Sequence, residues 1–469
     1  MNATTRTETD SFGPIKVPVH VLWGAQTARS LKFFAIGEQR MPLPVIHTVA
    51  RIKAQAAGVN AELGLLPVER AQAIAQAAEE VAQGQWDSEF PLSVWQTGSG
   101  TQSHMNVNEV VAQRATQLLA PHSQPINVHD EVNLGQSSND VFPSAIRIAA
   151  ATALKQSLLP ALQNLHQTLE HLSQRFQPHI KIGRTHLQDA TPITLGQEFG
   201  GYAGQIAHGL QAIDAAWLPL CRLPLGGTAV GTGLNSHPEF SAQVIRRLAQ
   251  TLQLPLEPAA NLFTEMAGLE AIVGLHAAMR MVALSMVKIG NDIRLMGSGP
   301  RAGLGELTLP QNEPGSSIMP GKVNPTQVEA LLMVCAQVMG HDAALGFAAS
   351  QGQFELNVFQ PLVALNVLDS LRLLADALNS FNDHLLQGLQ VNEARLHELV
   401  QSSLMLVTAL TPHIGYKAAA HIAQHAHQHL LTLREAAVAL GHVSNEQFDA
   451  WVRPEQMLGP HPGIKRYTR

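Results

Sequence analysis

Hydroxyl, ammonium and carboxamide groups crowd into one short stretch, Gly315–Pro325, which reads GSSIMPGKVNP inside a longer loop beginning near Gly297. Glycines bracket two hydroxyls, and a lysine and an asparagine follow closely. Because glycine lets the backbone turn tightly, Ser316, Ser317, Lys322 and Asn324 can face one small polar ligand, together with backbone N–H groups freed by the turns. The same composition also suits an exposed flexible loop whose polar side chains face water.

Three more segments carry groups of this kind. TGSGTQSHMNVNEV sets Ser99 and Thr101 among glycines directly before the helical pattern VNEVVAQRATQLL, and a helix N-terminus with its unpaired N–H donors and partial positive charge suits a carboxylate. GQSSND, followed by VFPSAIRIAAATAL, repeats the arrangement with Ser137, Ser138 and Asn139; simple N-capping by serine or by Asp140 accounts for it equally well. GRTHLQDATPITLGQEF holds Thr185 and His186 between Gly183 and a long helix. Histidine titrates where proton transfer is useful, yet a lone histidine is more often structural, and this one gains a catalytic role only if a carboxylate orients it. Glu329, in NPTQVEALLM after the glycine-rich loop, is either that partner or a solvated acid in a helix first turn, where acid is favoured anyway.

Long helices must position these loops. Apolar periodicity spans 142–176, 194–217, 264–296 and 326–349, which at helical rise makes rods of roughly 35 to 50 Å. Rods of that length with wide apolar faces need partners, so a helical bundle extended by oligomerisation is expected. An irregular N-terminal domain, residues 1–136, precedes a central long-helix domain, 137–393, and shorter helices form a small C-terminal domain, 394–469. The fold class expected is mainly α.

Composition agrees. The 469 residues are 45% hydrophobic but only 5% aromatic and 14% charged, with alanine, leucine and glutamine in place of strand formers. A formal net charge of -6 with scattered basic residues excludes a nucleic-acid footprint. Cys221 and Cys335 lie far apart without metal-ligand spacing, which suits a reducing compartment and argues against a disulfide scaffold or a zinc site. The first residues, MNATTRTETDSFG, contain no apolar signal segment, and apolar runs are interrupted by charged residues or histidine, as in LHAAMRMVALSMVKIGNDIR. A soluble cytoplasmic protein with no membrane partner is expected.

Taken in order, the four segments resemble the signature regions of the fumarase and aspartase superfamily, and they are closest to class II fumarases. GSSIMPGKVNP is the defining loop of that superfamily, and WGAQTARSL, IGEQRMPLP, LGGTAVGTGLN, FELNVFQP and SLMLVTALTPHIGY extend the likeness over nearly the whole chain. The resemblance implies reversible anti addition of water to fumarate, giving L-malate, without a cofactor or metal, as a step of the tricarboxylic acid cycle. It implies that Ser316 removes the proton next to a carboxylate and that Lys322 and Asn324 hold the resulting aci-carboxylate. His186, oriented by Glu329, handles the hydroxyl through a water. Ser99, Thr101, Ser137, Ser138, Asn139, Thr185 and Ser317 bind the dicarboxylate. It also implies a homotetramer in which three subunits share each site.

Two positions depart from the family pattern. Where an HPND-like secondary dicarboxylate site is usual, this chain has Asn127, Val128, His129 and Asp130. His104 stands where asparagine is usual, beside the substrate segment, and there it either alters affinity and pH response or is a harmless polar exchange. An aspartase, which would expel ammonia from the same carbanion, differs typically at TGSGTQS and after KVNP. A scaffold released from catalysis, as lens crystallins are, would have no chemical need to keep Ser316, Lys322, Asn324, His186 and Glu329 together.

Overall fold

The computed structural model describes residues 4–460. Among them are seventeen α-helices and four two-stranded sheets, so the chain is mainly α. Apolar periodicity accounts for the long helices. Thr326–Ala349 has the bounds that its pattern gives, and Leu195–Leu220 runs slightly past its own. The run expected over 142–176 is two helices, Ser138–Ala153 and Leu159–Arg175, joined by one π turn, Leu154–Leu158. Pro160 lacks the N–H that would close an ordinary turn there, and the wider turn, with the Leu159 N–H on the Leu154 carbonyl, absorbs the loss. The run over 264–296 breaks at Gly268, which ends the short helix Leu262–Ala267 before Glu270–Met296 begins.

The chain folds into two compact units. The first comprises the residues up to Ala161, Gly209–Ala283 and Val334–Asp376. In it, helix Leu43–Glu62 packs on Val68–Ala82, Ser138–Ala153 and Phe240–Leu252, and Val45, Ile52, Ile74, Val110 and Ile146 are buried there. Each such side chain contributes roughly 1.5 to 3 kcal/mol by leaving water. Several buried polar groups in this unit are paired. Glu109 accepts from the N–H groups of Gly24 and Gln26, both at 2.8 Å, and from Thr27 Oγ1 at 2.6 Å. His276 bridges Asp342 Oδ1 at 3.1 Å and Ser370 Oγ at 2.9 Å, fixing three helices in register.

The second unit comprises Leu162–His208, Leu284–Met333 and the residues from Ala377 onward. Its hairpin pairs Ile180–Thr185 antiparallel with Gln188–Thr194. Ile182 of that hairpin is buried in an apolar cluster with Val400, Leu410, Ile422, Ala436 and Phe448 of the short C-terminal helices, so the hairpin is seated on their core.

One expectation needs correction. Helices Glu270–Met296 and Thr326–Ala349 are apolar over a length that could cross a membrane, despite the interruptions noted in the sequence. Half of the most apolar stretch is buried in the first helix, but only 22% in the second.

Candidate active site

The loop that carries Ser316 is held by its own backbone. The Gly315 N–H donates to the Lys322 carbonyl at 3.0 Å, and the Asn324 side-chain amide donates to the Gly315 carbonyl. A Cβ on residue 315 would meet the Lys322 oxygen at 2.2 Å, so only glycine permits this closure. Inside it, Ser316 Oγ accepts from the N–H groups of Met319 at 3.0 Å and Ile318 at 3.3 Å. Two donors aimed at one oxygen favour negative charge there. Ser317 and Lys322 are exposed, and Glu329 is exposed in the first turn of Thr326–Ala349.

His186 and Leu187 form the two-residue turn of the hairpin, with φ of 57° and 62°. Both lie in the left-handed region, the geometry of a type I′ turn, which glycine and asparagine adopt with less strain. Each of the two residues costs on the order of 1 to 3 kcal/mol in backbone strain. His186 therefore sits at a hairpin tip instead of at a helix end, and Thr185 closes the turn opposite Gln188. Among the described residues no hydrogen bond or ion pair joins His186 to Glu329 within the chain.

In the first unit, Gly100 precedes helix Thr101–Leu118. Ser99 Oγ and Thr101 Oγ1 lie 2.9 Å apart at its N-terminus. Gly98 runs against another backbone segment: its carbonyl accepts from the Gln360 N–H at 2.8 Å, and a Cβ there would sit 1.5 Å from the Val358 oxygen. The glycines of TGSG are thus packing requirements that bring two hydroxyls to a helix start.

Ser137 caps helix Ser138–Ala153, with Asp140 returning a bond to its N–H in a capping box. The capping reading therefore holds for Ser137. Asp140 also accepts from the N–H groups of Gly226 at 2.8 Å and Thr228 at 3.1 Å. Burial pushes its carboxyl up to about 6, against the pull of these donors and of Lys53. Asn139 donates to the Ala229 carbonyl at 2.9 Å, and Ser138 Oγ meets His104 Nδ1 at 2.7 Å. Asn127 caps the turn Val128–Val132, its carboxamide oxygen accepting from the N–H groups of His129 at 2.8 Å and Asp130 at 2.9 Å.

Sequence reasoning missed two groups of residues. Lys181, 2% exposed, pairs with Glu198 at 2.7 Å and with fully buried Glu306 at 3.0 Å, and Arg184 reaches Glu306 at 2.8 Å. These charges tie the strand leading to His186 to the chain leading to Ser316, and no sequence spacing announces them. Lys53, fully buried beside the capping segment, donates to Asn133 Oδ1 at 2.8 Å. Its signal was available: within IHTVARIKAQAAGVNAEL it falls on the apolar stripe, four residues after Val49.

Comparison with known proteins follows this geometry. A family model described as Lyase matches residues 13–340, and one described as Fumarase C C-terminus matches residues 406–459. A class II fumarate hydratase of Chromobacterium violaceum is 58% identical over 98% of this chain and 100% of its own length. One from Ralstonia nicotianae is 57% identical over 97% of this chain and 100% of its own. The crystal structure of a class II fumarase from Schistosoma mansoni superimposes with a TM-score of 0.95, at 44% identity, covering 97% of this chain and 100% of that one. Full-length likeness of this order, on a chain whose signature loop closes through Gly315, leaves one assignment: the chain belongs to the lyase family and, within it, to the class II fumarate hydratases.

Proposed function

We propose that this chain catalyses the reversible anti addition of water to fumarate, giving L-malate, a step of the tricarboxylic acid cycle. The observation that carries the reading is the loop of Ser316, whose hydroxyl oxygen already holds two backbone N–H donors, in a chain 58% identical along its length to a class II fumarate hydratase.

In the dehydration direction Ser316, as its alkoxide, takes the proton from the carbon beside one carboxylate of malate. The electron pair left on carbon spreads into that carboxylate. Lys322 and Asn324, with loop amides, hold the aci-carboxylate so formed, where transition-state stabilisation is greatest. The C–O bond on the neighbouring carbon then breaks, and the hydroxyl leaves as water with a proton relayed through a bound water by His186, which Glu329 orients. Ser99, Thr101, Ser137, Ser138, Asn139, Thr185 and Ser317 hold the remaining carboxylate and the hydroxyl by neutral hydrogen bonds, whose worth depends on placement.

The active form is a homotetramer with sites shared between subunits, and the three-part division at residues 136 and 393 accompanies it. Helix Thr326–Ala349 supports this, since its apolar stretch is left largely uncovered in one chain, with Met333 69% and Phe347 60% exposed. Kinship with bacterial enzymes supports a cytoplasmic location.

The deciding experiment gives purified protein L-malate and L-aspartate separately and follows fumarate by ultraviolet absorbance. Fumarate from malate alone is expected. Ser316→Ala should slow it by roughly three orders of magnitude or more with the oligomer intact; fumarate from aspartate, or near-normal turnover of the variant, overturns the assignment or the base respectively.

A further inference from the structure

His104 is fully buried. Its Nδ1 lies 2.7 Å from Ser138 Oγ, and among the described residues its Nε2 has no hydrogen-bond partner. Burial and the neighbouring Lys53 both disfavour the imidazolium, so the ring is neutral. A neutral imidazole has one N–H and one bare nitrogen. With the proton on Nε2, the ring would bury an orphan donor, an arrangement folded proteins avoid more strictly than an orphan acceptor. With the proton on Nδ1, the ring buries only a bare nitrogen, the less costly orphan. Asp140 is the other charged group that Lys53 feels, and its oxygens are taken up by the N–H groups of Ser137, Gly226 and Thr228. Nδ1–H therefore donates and Ser138 Oγ accepts. The Ser138 hydroxyl proton is left to point away from the ring.

We infer that His104 is a positioning residue: through its Nδ1–H it fixes the rotation of the Ser138 hydroxyl so that Ser138 donates to a carboxylate of the bound dicarboxylate. The inference rests on the reading of Ser138 as a substrate-binding residue. The sequence alone left open whether His104 tunes affinity or is a neutral exchange; its bond to Ser138 selects the former. A carboxamide in place of the ring would set its own donor where Nδ1 stands, because the two side chains share geometry out to that atom.

The test is a cycle of variants assayed with L-malate, with circular dichroism and sedimentation as checks on folding. Ser138→Ala should raise KM. His104→Leu should raise KM about tenfold with kcat changed less than about threefold, as expected when a ground-state hydrogen bond is lost. In the Ser138→Ala background the same substitution should add less than about twofold, because the partner it acts through is gone. His104→Asn should hold KM within about threefold, the amide replacing the lost donor. An unchanged KM in His104→Leu, or an equal rise with and without Ser138, overturns the inference while leaving the function intact. An unchanged KM in Ser138→Ala overturns the substrate role of Ser138 itself. If Leu is not tolerated, His104→Asn decides alone: a KM raised about tenfold despite its donor refutes the proposal.

Discussion

Glu306 and Lys181 form an ion pair at 3.0 Å shut off from water, the two side chains 0% and 2% exposed. Arg184 holds the other carboxylate oxygen at 2.8 Å. The Glu306 backbone is fixed as well, its N–H on the Met296 carbonyl at 2.8 Å and its carbonyl taking the Asn392 N–H at 3.0 Å. Glu306→Gln removes the anion and leaves Arg184 unmatched, Lys181 keeping only Glu198. Breaking one side of a buried pair is expected to cost about 3 kcal/mol. Urea unfolding at fixed protein concentration measures it, and a loss below about 1 kcal/mol would show that Glu306 is dispensable. Because the strand leads into the turn that carries His186, kcat should fall further than KM rises.

The hairpin tip separates chemistry from backbone strain. Asparagine tolerates the left-handed conformation that His186 adopts at φ 57°, so His186→Asn should fold normally while losing the titratable ring. A drop in kcat of roughly a hundredfold is expected for loss of proton relay. Malate dehydration reads it, and a drop below tenfold would remove His186 from proton transfer.

Legibility in the sequence followed the range of the forces involved. Helix Thr326–Ala349 was visible because its apolar spacing and the polar loop before it act locally. The hairpin Ile180–Thr194 was not, since its turn is His-Leu where the usual signal is Asn-Gly or Asp-Gly, and nothing local stabilises it. What seats it is Ile182 against residues more than two hundred positions later, such as Val400. Ser316, Lys322 and Asn324 could be named because they share one loop. The buried charges Lys181, Arg184 and Glu306 could not, because each is ordinary in its own segment and their meaning lies in long-range pairing.

Asp140 supplies a pH dependence with a defined sign. Its carboxyl titrates near 6 in the folded chain, raised by burial from the ordinary 3.8. Between these values the folded state binds more protons than the unfolded one, so the contribution of Asp140 to stability is greatest at low pH and is lost as pH rises through about 6. From pH 5 to pH 7 that loss should be about 1 kcal/mol. Asp140→Asn, which cannot titrate, should flatten the unfolding free energy by that amount over the interval, whatever its absolute stability. Equal slopes in the two proteins would mean that Asp140 is ionised throughout.

Assembly can be tested on the helix that one chain leaves uncovered. Met333 lies on Thr326–Ala349 with 69% of its surface exposed, and the most apolar stretch of that helix is only 22% buried. If partner copies cover this face, Met333→Glu forces a carboxylate into an apolar interface at a cost of several kcal/mol, roughly, per buried charge. Sedimentation should then show a smaller species than the native protein, and if subunits share each site as proposed, activity should fall at least about a hundredfold and recover partly at high concentration. Leu430, 93% exposed at the end of helix Tyr416–His429 and off the helix face proposed for assembly, is the control: with a glutamate there both assembly and turnover should stay native. An active Met333→Glu protein of native size would take this helix out of the interface and the shared site with it.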